Sequence, residues 1–300
     1  MAGLSAEDGA ARRRVMAWAA LFAVTWALLE IAVSLLLHGR YDVIQIVWCR
    51  YAAHIAAVML IWGLRRPRLW RTRSPVFQVA RSLMMLVMPV AFAIAIREGV
   101  SLDFVESIFW TAPFQIVLLA RLFTGDVAPL TAWAAAIIGS IGSAAIFGHL
   151  LSGSLLGVSL ALAGSLSFSA YIVMTRSLRD EPAPTNLLYT GLAVFVVLTP
   201  FMPMVWIWPT ASDWAVLVMI GVVGVGALYA LERACEAGAA WLVAIMLFAQ
   251  VICLGLLHVG IGGAPRLQAE IGIVILVGVL GAFWMSARWL APSRRNPAAP

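Results

Sequence analysis

Ten stretches of mainly apolar residues, each close to twenty long, follow one another along the chain, and the loops between them are too short to hold a soluble domain. A helix rising ~1.5 Å per residue needs about 20 such residues to cross the hydrocarbon of a bilayer. That ruler predicts an all-α integral membrane protein with spans at 15–37, 43–62, 76–96, 104–120, 130–147, 155–175, 187–206, 214–231, 239–259 and 271–290. Composition agrees: 63% of the residues are hydrophobic and 11% charged, against roughly 25% charged in an ordinary soluble domain. Function must therefore reside in the membrane bundle.

All 20 basic residues are arginine, and the net charge is +6. A nucleic-acid partner would call for scattered or aromatic-interleaved basic residues, whereas these cluster in short loops, the mark of membrane topology. Fifteen arginines fall on the side of the N-terminus: Arg12, Arg13, Arg14, Arg65, Arg66, Arg68, Arg71, Arg73, Arg121, Arg176, Arg179, Arg233, Arg288, Arg294 and Arg295. Only three, Arg40, Arg97 and Arg266, fall on the other. The bias predicts cytoplasmic termini, with residues 1–14 as an uncleaved N-terminal tail and 291–300 as a C-terminal tail. Trp62, Trp70, Trp206, Trp208, Trp214 and Trp289 fall near the predicted interfaces, where amphipathic indoles belong. Cys49, Cys235 and Cys253 have no metal-ligand spacing and read as small hydrophobes.

Gly139-Ser-Ile-Gly142 in the fifth span is echoed by Gly278-Val-Leu-Gly281 in the tenth. An odd number of spans per half inverts one half relative to the other, so the echo predicts two inverted five-helix repeats, 15–147 and 155–290. The glycines also have a packing explanation, since small residues let helices approach closely.

Charges inside the spans are few and costly: at least ~2.5–3.5 kcal/mol for a guanidinium near mid-membrane. Glu30 and Arg50 lie at matched depths, about 10 Å in from the same end of consecutive helices. They are expected either to form a structural ion pair or to line a polar cavity. His54 follows Arg50 by one turn on the same face; alone it would read as a packed, hydrogen-bonded histidine. Arg81, near the end of the third span, is expected to snorkel. Glu106 lies a turn inside the fourth span, after Asp103, and a solvated helix end is the alternative. Trp26, Trp48 and Trp110 sit away from span ends, where core packing and an aromatic ligand wall are both open. The sixth to tenth spans offer Tyr171, Tyr189, Tyr229, Gln250, Ser and Thr but no central charge, an asymmetry suited to an amphipathic organic substrate. Pro89, Pro113, Pro200 and Pro203 mark places for kinks or hinges.

Several segments resemble the ten-span EamA branch of the drug/metabolite transporter superfamily over roughly residues 15–290. QIVWCRY at 45–51 is similar to its Arg-aromatic pattern in the second span, and VARSL at 79–83 to the start of the third. AIREGVSLDFVESIFWTAP at 95–113 with LFTGD at 122–126 resembles the connection into the fourth span, Asp126 replacing the family's Glu. LERACEAGAAWLVAIMLFAQVI at 231–252 is similar to the matching segment of the second half. The ninth span has Ile245 where the family often has proline, and HVGIGGAP at 258–265 lacks the usual acid. The resemblance implies a carrier for small organic solutes in the bacterial inner membrane, working by alternating access between the halves. Substrates across that family include amino acids, vitamins, nucleotide-like metabolites and drugs.

The expected function is secondary transport of an anionic, zwitterionic or aromatic metabolite. Arg50 would anchor it, His54 would assist, and Trp26, Trp48, Trp110 and Tyr171 would line the cavity. Glu30 or Glu106 would balance charge or accept a coupling proton. The alternative is proton-coupled export of cationic or lipophilic drugs through Glu30. The sequence shows no HExxH, no nucleophile-base-orienter set and no Gly-rich loop with Gly-Lys-Ser/Thr, so neither enzyme chemistry nor ATP-driven transport is expected. No cofactor or nucleic acid is expected; the partners are a small-molecule substrate and membrane lipids.

Overall fold

The computed structural model describes residues 6–37, 39–147, 153–261 and 267–289, and among them every regular element is helical. The remainder of the tails, Arg266, Arg294, Arg295 and residues 262–265 of the HVGIGGAP segment lie outside the described residues. In chain order the α-helices are α1 (Ala6–Leu36), α2 (Val43–Val58), α3 (Pro75–Arg97), α4 (Leu102–Phe109), α5 (Ala112–Phe123), α6 (Leu130–Phe147) and α7 (Leu155–Ser177). They continue as α8 (Ala183–Leu198), α9 (Met202–Val205), α10 (Ala211–Ala237), α11 (Ala240–Met246), α12 (Phe248–Ile261) and α13 (Leu267–Trp289).

Among the described residues nine segments are long and apolar enough to cross a membrane, α4 with α5 counting as one and α8 with α9 as another. Their outer surface is apolar too: Leu28, Ile141, Val196 and Val274 are each more than half exposed. In water such faces would aggregate; against acyl chains they are solvated, which fits a multi-pass membrane protein.

The helices start where short polar side chains can satisfy free amides. Asp42, Ser101, Ser154 and Thr210 each accept a backbone N–H in the first turn of α2, α4, α7 and α10. Prolines act at boundaries more than at kinks. Pro113 lies in the first turn of α5, and Pro200 sits in a short 3₁₀ turn, Thr199–Phe201, that ends α8. Pro89 alone is inside a long helix.

Two helix ends depart from expectation. The predicted N-terminal tail is helical from Ala6, continuous with the first span, because 6–14 contains no breaker apart from Gly9. The predicted ninth span divides at Leu247 into α11 and α12, which run from Ala240 to Ile261 with only Leu247 between them. The amide of Ala240 that opens α11 donates to Asp126 Oδ2 at 3.0 Å, a cap supplied from the loop after α5.

The packing comes in matched pairs. α1 lies on α10 as α7 lies on α3, and α2 contacts α10 as α8 contacts α3. α11 and α12 meet α1 as α4 and α5 meet α7, and α12 meets α13 as α4 and α5 meet α6. Three further contacts, α2 with α8, α5 with α11 and α6 with α13, join counterparts directly. Glycines permit the closest approaches. A Cβ on Gly139 would fall 2.3 Å from the Phe248 ring, and one on Gly142 would fall 3.3 Å from the Gly272 carbonyl oxygen. The echoed Gly278 and Gly281 instead have open space beside them, so the packing explanation fits the fifth-span pair and fails for the tenth.

Candidate functional site

Two polar clusters occupy the bundle interior. The first gathers around Trp26 of α1. Its indole Nε1 donates to Glu30 Oε1 at 2.8 Å, one turn along the same helix. Gln250 of α12 donates through Nε2 to Glu30 Oε2 at 2.9 Å. Both carboxylate oxygens are thus held by neutral donors. The Arg50 guanidinium lies over the face of Trp26, Cζ 4.2 Å from the ring centroid, and 5.7 Å from that of Tyr51. Its other flank is α10, where a Cβ on Gly224 would come within 3.5 Å of Nε.

The direct Glu30–Arg50 pair expected from matched depth is not formed. Among the described residues Arg50 has no ion-pair partner, and its buried Nη2 has no hydrogen-bond acceptor. The two charges remain within electrostatic reach, with the indole taking the place of the contact. Buried Nε of Arg81, Oε1 of Gln78 and the Tyr171 hydroxyl also lack partners. Arg81 nevertheless makes several other hydrogen bonds, whereas Arg50 makes none among the described residues.

Glu106 of α4 accepts from the Trp110 Nε1 at 3.1 Å, repeating the Trp26–Glu30 arrangement on another helix. Trp110 is buried against Phe109, and its carbonyl oxygen accepts from Ser140. Glu106 and Glu30 interact electrostatically, so a pair of carboxylates and one arginine share this interior. Glu106 is half-buried, with one carboxylate oxygen bonded to that indole.

Three expected members lie elsewhere. His54 is buried against α8, its Nε2–H donating to the Leu187 carbonyl at 3.1 Å, and Gly191 leaves room for its ring. The packed histidine describes it, since the ring turns to α8 while Arg50 turns to α1 and α10. Trp48 stacks on Phe195 and donates to Thr199, beside Trp206, among aromatics at the end of α8 and not at Arg50. Tyr171 belongs to the second cluster: its ring lies 5.2 Å beneath the Arg81 guanidinium carbon.

That second cluster corrects the expectation that Arg81 snorkels. Arg81 is fully buried and pairs with Glu232 of α10, Nη1 to Oε1 at 2.6 Å. Nη1 also donates to Thr175, and Nη2 donates to the Asn186 carbonyl at 2.7 Å and to Thr190 at 2.9 Å. Asn186 Nδ2 donates to Glu232 Oε2 at 2.8 Å, and Gln78 donates to Asn186 Oδ1. α3, α7, α8 and α10 are thereby clasped at one end of the bundle. Glu232 escaped the sequence reading because it stands one residue past the predicted end of the eighth span. The signal was present: Leu228, Leu231, Glu232 and Cys235 share one face of α10, and all are buried.

A more exposed clasp closes the other end. Arg40 binds Asp213 through two hydrogen bonds of 2.7 and 2.6 Å, and Tyr41 and Thr210 donate to the same carboxylate. Gln45 exchanges a pair of hydrogen bonds with the backbone of Ile207. The Asp213 bond, then burial, holds the Tyr41 phenol above its ordinary value.

No protein-family model matches this chain, and no curated protein matches it. Twenty-nine chains of solved structures do match. One, described only as "Crystal structure of protein", superposes with a TM-score of 0.75 at 20% identity, covering 93% of this chain and 98% of that one. At that identity the likeness speaks to the fold alone.

Proposed function

We propose that the chain is a secondary transporter of a small organic metabolite, anionic, zwitterionic or aromatic, working by alternating access between inverted five-helix halves in the bacterial inner membrane. Both termini are cytoplasmic in this reading. The observation that carries it is Arg50: a cation inside the bundle, oriented by Trp26, with a buried Nη2 and, among the described residues, no anion paired to it. An internal arginine whose carboxylate neighbour is already hydrogen-bonded by Trp26 and Gln250 has capacity for the carboxylate or similar group of a ligand.

Four observations support the wider architecture. Each major helix contact has a counterpart five spans away, the pattern an inverted repeat produces. The fourth and ninth segments, corresponding positions in such a repeat, are both divided within their apolar stretch, as the seventh is at Thr199, and interrupted helices at matching positions mark binding sites in such transporters. The resemblance to the EamA branch and the arginine bias of the loops agree with it.

The test is a metabolite screen by thermal stabilisation of purified protein, followed by counterflow in liposomes. Losing a charge-assisted hydrogen bond costs ~1.5–3 kcal/mol, so Arg50→Gln is expected to weaken binding about ten- to hundredfold. Counterflow equal to the parent's would make Arg50 a structural residue and overturn the site.

Proton-coupled export of cationic or lipophilic drugs is the second reading, favoured by the electrostatic proximity of Glu30 and Glu106. It expects Glu30→Gln to abolish proton-driven efflux in proteoliposomes; undiminished coupling rejects it. An anionic metabolite whose stabilising effect depends on Arg50 decides for the first.

A further inference from the structure

The segment between α2 and α3 carries Arg65, Arg66, Arg68, Arg71 and Arg73 within nine residues, and among the described residues none of their side chains has an ion-pair or hydrogen-bond partner. The loop carrying them is nevertheless fixed. Leu69 is buried, Tyr189 donates to the Trp70 carbonyl at 3.0 Å, and the Arg73 amide donates to Glu181 at 2.8 Å. Arg66, Arg68 and Arg71, with Pro67 and Leu69 between them, line a cleft of about 290 Å³ whose other wall is Pro182 and Thr185 at the start of α8, and whose floor is mainly apolar. Leu64 and Trp70, beside the arginines, are 82% and 61% exposed.

Five cations on a pinned loop, an apolar residue and an indole at its edge, and a concave surface at the end of membrane-crossing helices have a common complement. We propose that this cleft binds the phosphodiester headgroup of an anionic phospholipid, with Arg66, Arg68 and Arg71 around the phosphate and Leu64 and Trp70 at the level of the headgroup and upper acyl chain. A lipid there touches the α2–α3 loop and the α8 terminus at once and ties them together. A basic side chain near an anionic membrane surface gains about fivefold in affinity, equivalent to ~1 kcal/mol.

Purified full-length protein would be titrated with short-chain phosphatidylglycerol, short-chain phosphatidylcholine and inorganic phosphate, with bound lipid counted by native mass spectrometry. Phosphatidylglycerol is expected to bind at least tenfold tighter than phosphatidylcholine. The triple variant Arg66→Gln/Arg68→Gln/Arg71→Gln should lose that preference, while Arg13→Gln/Arg14→Gln/Arg121→Gln, which removes equal charge elsewhere, should keep it. Arg68→Gln alone, an exposed change that leaves the loop anchors untouched, should weaken binding about fivefold. Equal affinity for the two lipids, equal loss in both triple variants, an unchanged Arg68→Gln, or inorganic phosphate competing as well as the lipid would each overturn the proposal.

Discussion

Removing Glu232 should unfold this protein more easily than removing any surface acid. Arg81 is fully buried and donates to Thr175, Glu232, the Asn186 carbonyl and Thr190. Glu232 supplies the only negative charge in direct contact with it among the described residues. Glu232→Ala leaves a guanidinium in the interior with its neutral acceptors but without its counter-charge, and Asn186 loses an acceptor for Nδ2. Orphaning one member of a buried pair costs ~3–5 kcal/mol. At ~2 °C per kcal/mol for a chain of this size, the thermal midpoint falls by ~6–10 °C. The assay is intrinsic-fluorescence unfolding in detergent, run on Glu232→Ala, Arg81→Leu and the double variant Arg81→Leu/Glu232→Leu. Because each single change strands a charge and the double change strands none, the double variant should lie above both singles. A Glu232→Ala midpoint within 1 °C of the parent, or a double variant below both singles, would refute the reasoning.

Two further outcomes follow from geometry described above. A methyl on Gly221 would lie 2.5 Å from Ala53 Cβ and 2.6 Å from the Arg50 carbonyl, so Gly221→Ala should cost ~1–3 kcal/mol by overpacking. Gly226, on the same helix with nothing within 4 Å, should be neutral or gain up to ~1 kcal/mol as alanine; matching midpoints for the two would contradict the packing of α2 on α10. The Tyr41 phenol is raised chiefly by its bond to Asp213, then by burial. Its contribution is therefore complete below pH ~10, the unfolded value, and is lost as pH climbs through the higher folded value. Tyr41→Phe should remove that alkaline component from a midpoint-against-pH profile, and an unchanged profile would show that the phenol carries none.

Hydropathy located the apolar segments well because a bilayer-crossing helix needs a long run and the loops here are rich in arginine. Ends were less legible. α10 continues to Ala237, six residues beyond the apolar run, because Glu232 finds Arg81 inside the protein, and a hydropathy window cannot see a partner on another helix. The division before α5 had a local cue in Pro113. The one at Leu247 had none; there Phe248 packs on Gly139 and Asp126 caps Ala240, both remote in sequence. Within the site, Glu30, Arg50 and Glu106 were conspicuous because charge in a span is costly. Trp26 stands four residues before Glu30, a spacing open to sequence, whereas Gln250 became a partner of Glu30 only once α12 and α1 were seen side by side.

The placement of Trp26 makes it an optical probe as well as a support. Its indole carries a carboxylate at the N–H edge and a guanidinium on the face, so the ring sits in a strong and asymmetric electric field. The absorption and emission of an indole shift with the field along its excited-state dipole. In the proposed reading, an anion arriving at Arg50 Nη2 changes that field. The spectral difference between the parent and Trp26→Phe, followed during titration, therefore reads occupancy of this arginine directly and needs no label.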